Sequence, residues 1–368
     1  MIQNPVALRK ITHWNIELRR LIRTREELKK RLYLYPEEER FFDLFQELPR
    51  STSAPFVPLA IPPYYLNQVG KDSGDPIRLQ CIPREEEGNV GSLETEDPLA
   101  DQAYSPLPRL VHRYRDRVLL LVTDQCALHC RFCFRRHFVG QGKGVIRQSE
   151  LDRIVAYLKA HPEVREVILS GGDPLTLSDD RFFALVDTLR FARPGIVLRV
   201  SSRLPVVLPF RITLRFVYNL RLRQPFWFVL HVNHPRELTE EADLALKRLA
   251  HAGIPLLAQT VLLRGVNDSV STLEELFRAL VARRVKPYYL FQADLAAGTS
   301  HFRVPLKQGL ALMEQLRSRL SGVALPVYAL DLPGGGGKVQ LKELHPLEER
   351  EAYWVFYEGN KEYLYPKE

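Results

Sequence analysis

Cysteine is scarce. The chain has four in 368 residues, Cys81, Cys126, Cys130 and Cys133, which excludes the disulfide framework of a small secreted scaffold. Long apolar runs are missing too: none approaches the roughly 18–20 residues that cross a bilayer. The opening stretch "MIQNPVALRKITHWNIELRR" lacks the apolar core and small-residue cleavage site of a signal peptide. A cytoplasmic protein without a membrane partner is the expectation. Internal repeats are absent, and the one low-complexity tract is a run of glycines, Gly334–Gly337.

The formal net charge is +8. Such a charge permits nucleic-acid binding without demonstrating it. The basic clusters, such as "RLIRTREELKKR", interleave with apolar residues as solvated helix faces do. No RNA-binding module or aromatic platform is recognisable, so a small-molecule partner is expected rather than a nucleic acid.

Residues 1–110 read as an N-terminal extension. A helix is expected from Ile16 to Tyr33, then a proline-rich stretch around Pro55–Pro63, then the acidic segment "REEEGNVGSLETEDPLAD". Across residues 111–322 an aliphatic run alternates with an amphipathic one. The runs "RVLLLVTDQC", "EVILSGGD", "IVLRVSSR", "FWFVLHVNH", "PLLAQTVLL" and "PYYLFQAD" suit parallel strands buried on both faces. Between the later ones, "STLEELFRALVARRV" offers Ser271 and Glu274 as a capping box and Leu273, Leu276, Phe277 and Leu280 as one face. "EEADLALKRLAHAG" stops at Gly253, and "VPLKQGLALMEQLRSRLSG" runs from Pro305 to Gly322, as helix punctuation requires. The helix around "RITLRFVYNLRL" is the least marked.

Alternating βα units imply an α/β fold with a parallel sheet. Polar residues gather at the C-terminal end of each run: Cys126, Ser170–Asp173, Ser201–Arg203, His231, Gln259 and Asp294. Contributions from all six strand ends point to one central site, as at the top of a TIM-like barrel. An open sheet would use a single crevice. A partial (β/α)6 barrel is therefore expected, followed by a C-terminal segment over residues 323–368.

The densest chemistry is "CALHCRFCFRRHF", with C-x3-C-x2-C spacing. Three thiolates on one loop are one short of the shell of a [4Fe–4S] cube, which leaves one iron open. Zinc is the alternative, with His129, His137 or Cys81 as fourth ligand. The glycine run ends at Lys338, but a phosphate-binding P-loop is excluded: Leu332 stands where that spacing needs glycine, and Val339 where it needs Ser or Thr.

The three-cysteine pattern resembles the radical S-adenosylmethionine (SAM) superfamily, whose fold is a partial (β/α)6 barrel. The segments "HRYRDRVLLLVTDQCALHCRFCFRRHF", "ILSGGDPL", "SRLPVVLPFRIT", "NHPREL", "VLLRGVND", "PYYLFQADLAAGTSHFRVP" and "DLPGGGGK" resemble the lysine 2,3-aminomutase family. The resemblance runs from about Asp97 to the C-terminus. It implies an isomerase that uses a [4Fe–4S] cluster, SAM and pyridoxal 5′-phosphate (PLP) to move an amino group between adjacent carbons, turning L-lysine into β-lysine through a 5′-deoxyadenosyl radical. Arginine, ornithine or glutamate are the alternative substrates, and RNA modification is a rival from another class.

Residue by residue, the resemblance implies that Cys126, Cys130 and Cys133 hold the cluster. Gly171, Gly172, Asp173, Ser201, Arg203, His231 and Gln259 would serve SAM. Arg113, Tyr114 and Arg117 would contact PLP, with Lys338 as its Schiff-base lysine. Arg135 would hold the substrate carboxylate, and Asp294 and Asp331 the distal ammonium. The glycine run would let backbone pass close to PLP. A flavodoxin or ferredoxin would donate the electron. Two departures stand out. Ser269 replaces a cysteine of the family's interfacial zinc site, so a dimer is expected ahead of a tetramer. Phe291 lacks the hydroxyl of the family's usual tyrosine.

Overall fold

The strongest apolar runs become one curled sheet. The computed structural model describes residues 14–47, 56–341, 348–358 and 361–367; the start of the opening stretch and Pro55 lie outside them. All six expected strands form: β2 (Arg117–Thr123), β3 (Glu166–Gly171), β4 (Val197–Ser202), β5 (Phe226–His231), β6 (Leu256–Val261) and β7 (Val285–Phe291). Three more join them. β1 (Leu110–Tyr114) pairs antiparallel with β2, β8 (Val327–Asp331) pairs parallel with β7, and β9 (Lys338–Gln340) returns antiparallel along β8. The nine strands lie side by side in chain order. Residues beyond 322 therefore extend the same sheet. A separate antiparallel sheet follows, of β10 (Glu348–Glu349), β11 (Tyr353–Glu358) and β12 (Lys361–Pro366).

The strands are not buried on both faces. In β4, Leu198, Val200 and Ser202 are buried while Val197, Arg199 and Ser201 are partly open. The closed face meets the helices; the open face lines a lumen. That alternation lets one apolar-rich strand carry both a core and a polar site.

The helices between strands are Gln148–Ala160, Asp179–Ala192, Leu214–Arg221, Glu240–His251, Val270–Ala282 and Leu306–Arg319. Leu273, Leu276, Phe277 and Leu280 are fully buried on the face expected of them, each worth about 1.5–3 kcal/mol of burial. The cap of that helix is Ser269, whose side chain accepts from the Thr272 N–H, and not Ser271. The position of the missing zinc cysteine thus has a structural use here. The helix from Pro305 ends at Arg319, short of Gly322.

The helix expected over Ile16–Tyr33 is broken into Trp14–Arg19 and Arg25–Lys29. Between them Ile22 forms an isolated bridge to Ile61, with its N–H on the Ile61 carbonyl at 2.9 Å. Thr24 and Glu27 then make a reciprocal capping box that starts the second helix. No helix among the described residues is long and apolar enough to cross a membrane.

The sheet curls until the segment entering β1 touches the segment entering β9. The Gly334 N–H donates to the Pro98 carbonyl at 2.8 Å, and the Tyr104 hydroxyl donates to the Gly335 carbonyl at 3.2 Å. A Cβ on Gly335 would lie 2.3 Å from the Tyr104 ring, and one on Gly336 would lie 2.3 Å from the Tyr363 ring. The glycine run is thus packed between two tyrosines. It bridges the segments that enter β1 and β9.

Candidate active site

The loop after β2 carries Cys126, Cys130 and Cys133, and the N-terminal extension clamps it. Arg131, fully buried, donates through Nε and Nη2 to Glu87 at 2.7 and 2.6 Å, and through Nη1 to the Val57 carbonyl at 2.9 Å. Arg136 donates to the same Glu87 carboxylate at 2.9 Å. Burial alone would raise the Glu87 pKa; the two guanidiniums hold it below the usual carboxylate range. The acidic segment, opaque as sequence, is a set of counterions for barrel arginines. Glu94 pairs with Arg303 in the same way.

Burial pushes the Cys126 thiol well up and the Cys133 thiol to about 11, so a metal centre binding here must displace protons. The three sulfurs do not gather within 4.8 Å of one another. A single tetrahedral zinc, with bonds of about 2.3 Å, would draw them to within about 4 Å. Among the proposed fourth zinc ligands, each histidine spends only Nδ1 on a backbone carbonyl, which leaves Nε2 to face a ligand. His129 Nδ1 lies 2.7 Å from the Pro58 carbonyl, Cys81 is buried against the Ile77 carbonyl, and His137 Nδ1 lies 2.9 Å from the Glu96 carbonyl.

Gly171, the last residue of β3, and Gly172 seat this loop. A Cβ on Gly171, at φ +120°, would lie 2.4 Å from the Thr123 carbonyl oxygen; one on Gly172 would lie 2.3 Å from that of Gln125. Their lack of side chains serves the close packing of two loops. The Gly172 N–H donates to Thr123 O at 2.6 Å and the Asp173 N–H to Gln125 O at 2.8 Å.

Two residues expected to serve SAM line the cavity and also brace its frame. The Asp173 carboxylate accepts from the Leu175 N–H on one oxygen, and from the Ser202 hydroxyl and Arg203 N–H on the other. It ties the end of β3 to the end of β4, and burial lifts its pKa to about 6. The Arg203 guanidinium is buried and held by Gln80, Glu237 and Tyr65. Ser201, His231 and Gln259 line the lumen as well. His231 Nε2 is buried with no hydrogen-bond partner, and burial followed by the Arg203 charge keeps this imidazole neutral, at about 4.

At the other side of the lumen, β8 pairs Asp331 with Lys338 of β9. Lys338 Nζ donates to Asp331 at 2.7 Å and sits 4.0 Å from the centre of the Phe291 ring and 5.1 Å from that of Tyr289. Burial lowers the lysine pKa, which favours the neutral, nucleophilic amine. Asp294 faces the same space. Burial first, and then the Asp331 charge, raise its pKa to about 8.

Tyr114, at the end of β1, has a buried hydroxyl without a hydrogen-bond partner. Arg117 stacks over its ring at 4.1 Å and pairs with Asp116 at 2.9 Å. Arg113 and Arg135 meet on one carboxylate: Asp101 accepts from Arg135 Nε at 3.0 Å and lies 3.4 Å from Arg113 Nη2. Burial would raise Asp101, but Arg135 and then Arg113 hold it low. Asp101 is the site residue that sequence reasoning missed. Its one signal was its place in an acidic stretch ahead of paired arginines.

All these groups open onto one cavity of about 780 Å³. The residues fit the implied groups. Three thiols on one loop and an unpartnered histidine nitrogen line the same cavity, which suits a cluster and SAM. The lysine lies between aromatic rings, near an unpartnered phenol and Arg113, which suits a ring cofactor with a phosphate.

The match to known proteins follows this geometry. The radical SAM superfamily model matches residues 120–280, which defines the class. The chain is 44% identical over 326 residues, 88% of its length, to L-lysine 2,3-aminomutase of Clostridium subterminale, covering 76% of that protein. It is 40% identical to L-lysine 2,3-aminomutase of Bacillus subtilis, over 91% of this chain and 70% of that one. Glutamate 2,3-aminomutase of Clostridioides difficile is 38% identical, over 77% and 67%. The chain belongs to the lysine 2,3-aminomutase family, and is a radical SAM aminomutase.

Proposed function

We propose that this enzyme converts L-lysine to β-lysine by moving the α-amino group to C3. The observation that carries the choice of substrate is the carboxylate pair. Asp294 and Asp331 line one cavity, and Asp294 is driven toward its protonated form first by burial and then by its acidic neighbour. Such a pair is relieved by a cation placed between them. The distal ammonium of lysine is that cation; glutamate would bring a third negative charge. Arginine and ornithine carry the cation at another reach, and the product assay separates them.

When bound, SAM on the reduced cluster supplies a hydrogen-abstracting radical, and PLP supplies the conjugated system that carries the migrating nitrogen. The chain's residues position the substrate. Arg135, fixed through Nε by Asp101, keeps its terminal nitrogens for the α-carboxylate. Lys338 presents an amine held near Asp331. The aromatic wall of Tyr289 and Phe291 shields that amine from water.

The test is direct. The anaerobically reconstituted protein is given PLP, SAM, a low-potential reductant and lysine, arginine, ornithine or glutamate in turn. β-Lysine from lysine is the expected product. Turnover of another amino acid with none from lysine overturns the assignment.

A further inference from the structure

We propose that Arg203 sets the reduction potential of the iron–sulfur cluster through a charged hydrogen bond to the Cys130 sulfur. This rests on the cysteine trio holding a [4Fe–4S] cluster. Arg203 Nη1 lies 2.7 Å from Cys130 Sγ. Its Nη2 is taken up by Gln80 Oε1 at 2.6 Å, Glu237 Oε1 at 2.6 Å and the Tyr65 hydroxyl at 3.1 Å. The Arg203 N–H is itself tied to Asp173.

The anchors cannot move easily. Tyr65, Gln80 and Glu237 are all 0% exposed. The second Glu237 oxygen accepts from the backbone N–H groups of Asn233 and His234 at 2.8 and 2.9 Å. Asn233 donates to Gln80 Oε1 at 3.1 Å, holding that amide in turn. The Arg203 guanidinium also lies 5.3 Å from the Phe132 ring centre. A rigid frame therefore aims one N–H of a permanent cation at one thiolate.

A buried carboxylate alone would suffice if the arginine only needed neutralising. Instead the guanidinium is split: one terminal nitrogen neutralised by Glu237, the other on sulfur. Reduction takes one electron from a low-potential donor and moves the cluster from its 2+ to its 1+ state, with no bond made or broken. The reduced state carries more negative charge on its sulfurs. A fixed cation and a hydrogen bond to sulfur both stabilise it. Arg203 thus raises the potential and is a positioning and tuning residue, with its fork committed before SAM arrives.

The test measures the cluster's midpoint potential by a redox titration read through the electron paramagnetic resonance of the reduced cluster. The double variant Arg203→Gln/Glu237→Gln removes the charge together with its counterion. Arg203→Lys keeps Glu237 paired but withdraws the charge from Cys130. In each, the ratio of reduced to oxidised cluster at the wild-type midpoint should fall about tenfold, a shift of about 59 mV downward for one electron. Arg203→Lys keeps the question open to measurement if the double variant fails to take up iron.

Iron content and the melting temperature are read in parallel, because a merely structural role would change those and leave the midpoint alone. An unchanged midpoint in an iron-replete variant overturns the proposal. So does an unchanged midpoint with lost SAM affinity, which would put Arg203 on the cofactor. Failure of the wild-type chain to bind four irons would instead overturn the cluster reading beneath it.

Discussion

Asp294→Asn should weaken lysine binding by about a hundredfold. A cation about 4 Å from a carboxylate, at an effective dielectric near 20, gains about 4 kcal/mol. Asp294 rests with its pKa near 8, so ionising it at pH 7 costs about 1.4 kcal/mol. The difference, about 3 kcal/mol, is roughly two factors of ten in affinity. The sign of the pH effect follows. A carboxyl raised above its ordinary range favours the empty folded protein at low pH, and that contribution is lost as pH rises through about 8. A bound cation reverses the preference, because it needs the charged form. Lysine affinity in the parent protein should therefore climb about tenfold per unit below pH 8 and flatten above it. In the Asn variant that slope should largely vanish. Norleucine, the same chain without its distal amine, is the control, and Asp294→Asn should leave its binding nearly unchanged. Affinities by calorimetry across about pH 6–9 decide the matter. If the variant holds lysine within about threefold of the parent, or loses lysine and norleucine equally, the two-carboxylate account is wrong.

Three further outcomes are expected. Lys338→Ala should abolish turnover and the retention of PLP while iron content stays at the parent level, read by absorbance and iron assay. Asp101→Asn should raise the KM for lysine about tenfold with a smaller change in kcat, because a charged hydrogen bond of about 1.5 kcal/mol that fixes Arg135 is weakened. Gly335→Ala should cost about 1–3 kcal/mol of stability, seen as a lower melting temperature, since its Cβ would strike the Tyr104 ring. Adding Tyr104→Ala should return part of that loss, and no recovery would mean the clash is not the cause.

Much of this protein could be read in one dimension. Six strand runs and the residues at their ends were legible because an aliphatic run that stops at a polar residue has few other places to go than a parallel sheet with a site at its rim. Cys126, Cys130 and Cys133 were legible because chemistry demanded them at short spacing on one loop. Lys338 was legible through its resemblance to a known segment; its ion pair with Asp331 in the lumen was not.

What tertiary structure decided was which partner each polar group meets. The acids of residues 84–101 looked like a polar extension. They are counterions: Glu87 for Arg131 and Arg136, Glu94 for Arg303, and Asp101 for Arg113 and Arg135. No local pattern reveals a carboxylate whose cation lies tens of residues away. The same holds for Asp173 and Arg203, polar at strand ends as a site requires: both line the cavity, and folding adds the partners that fix them, Ser202 and Glu237. The glycine run belongs here too. Its sequence says only that backbone must pass where a Cβ cannot; the rings of Tyr104 and Tyr363 supply the reason. Periodicity and spacing are local and survive in a string of letters. Pairing of buried charges and close approach of distant backbone are long-range, and exist only once the chain has closed on itself.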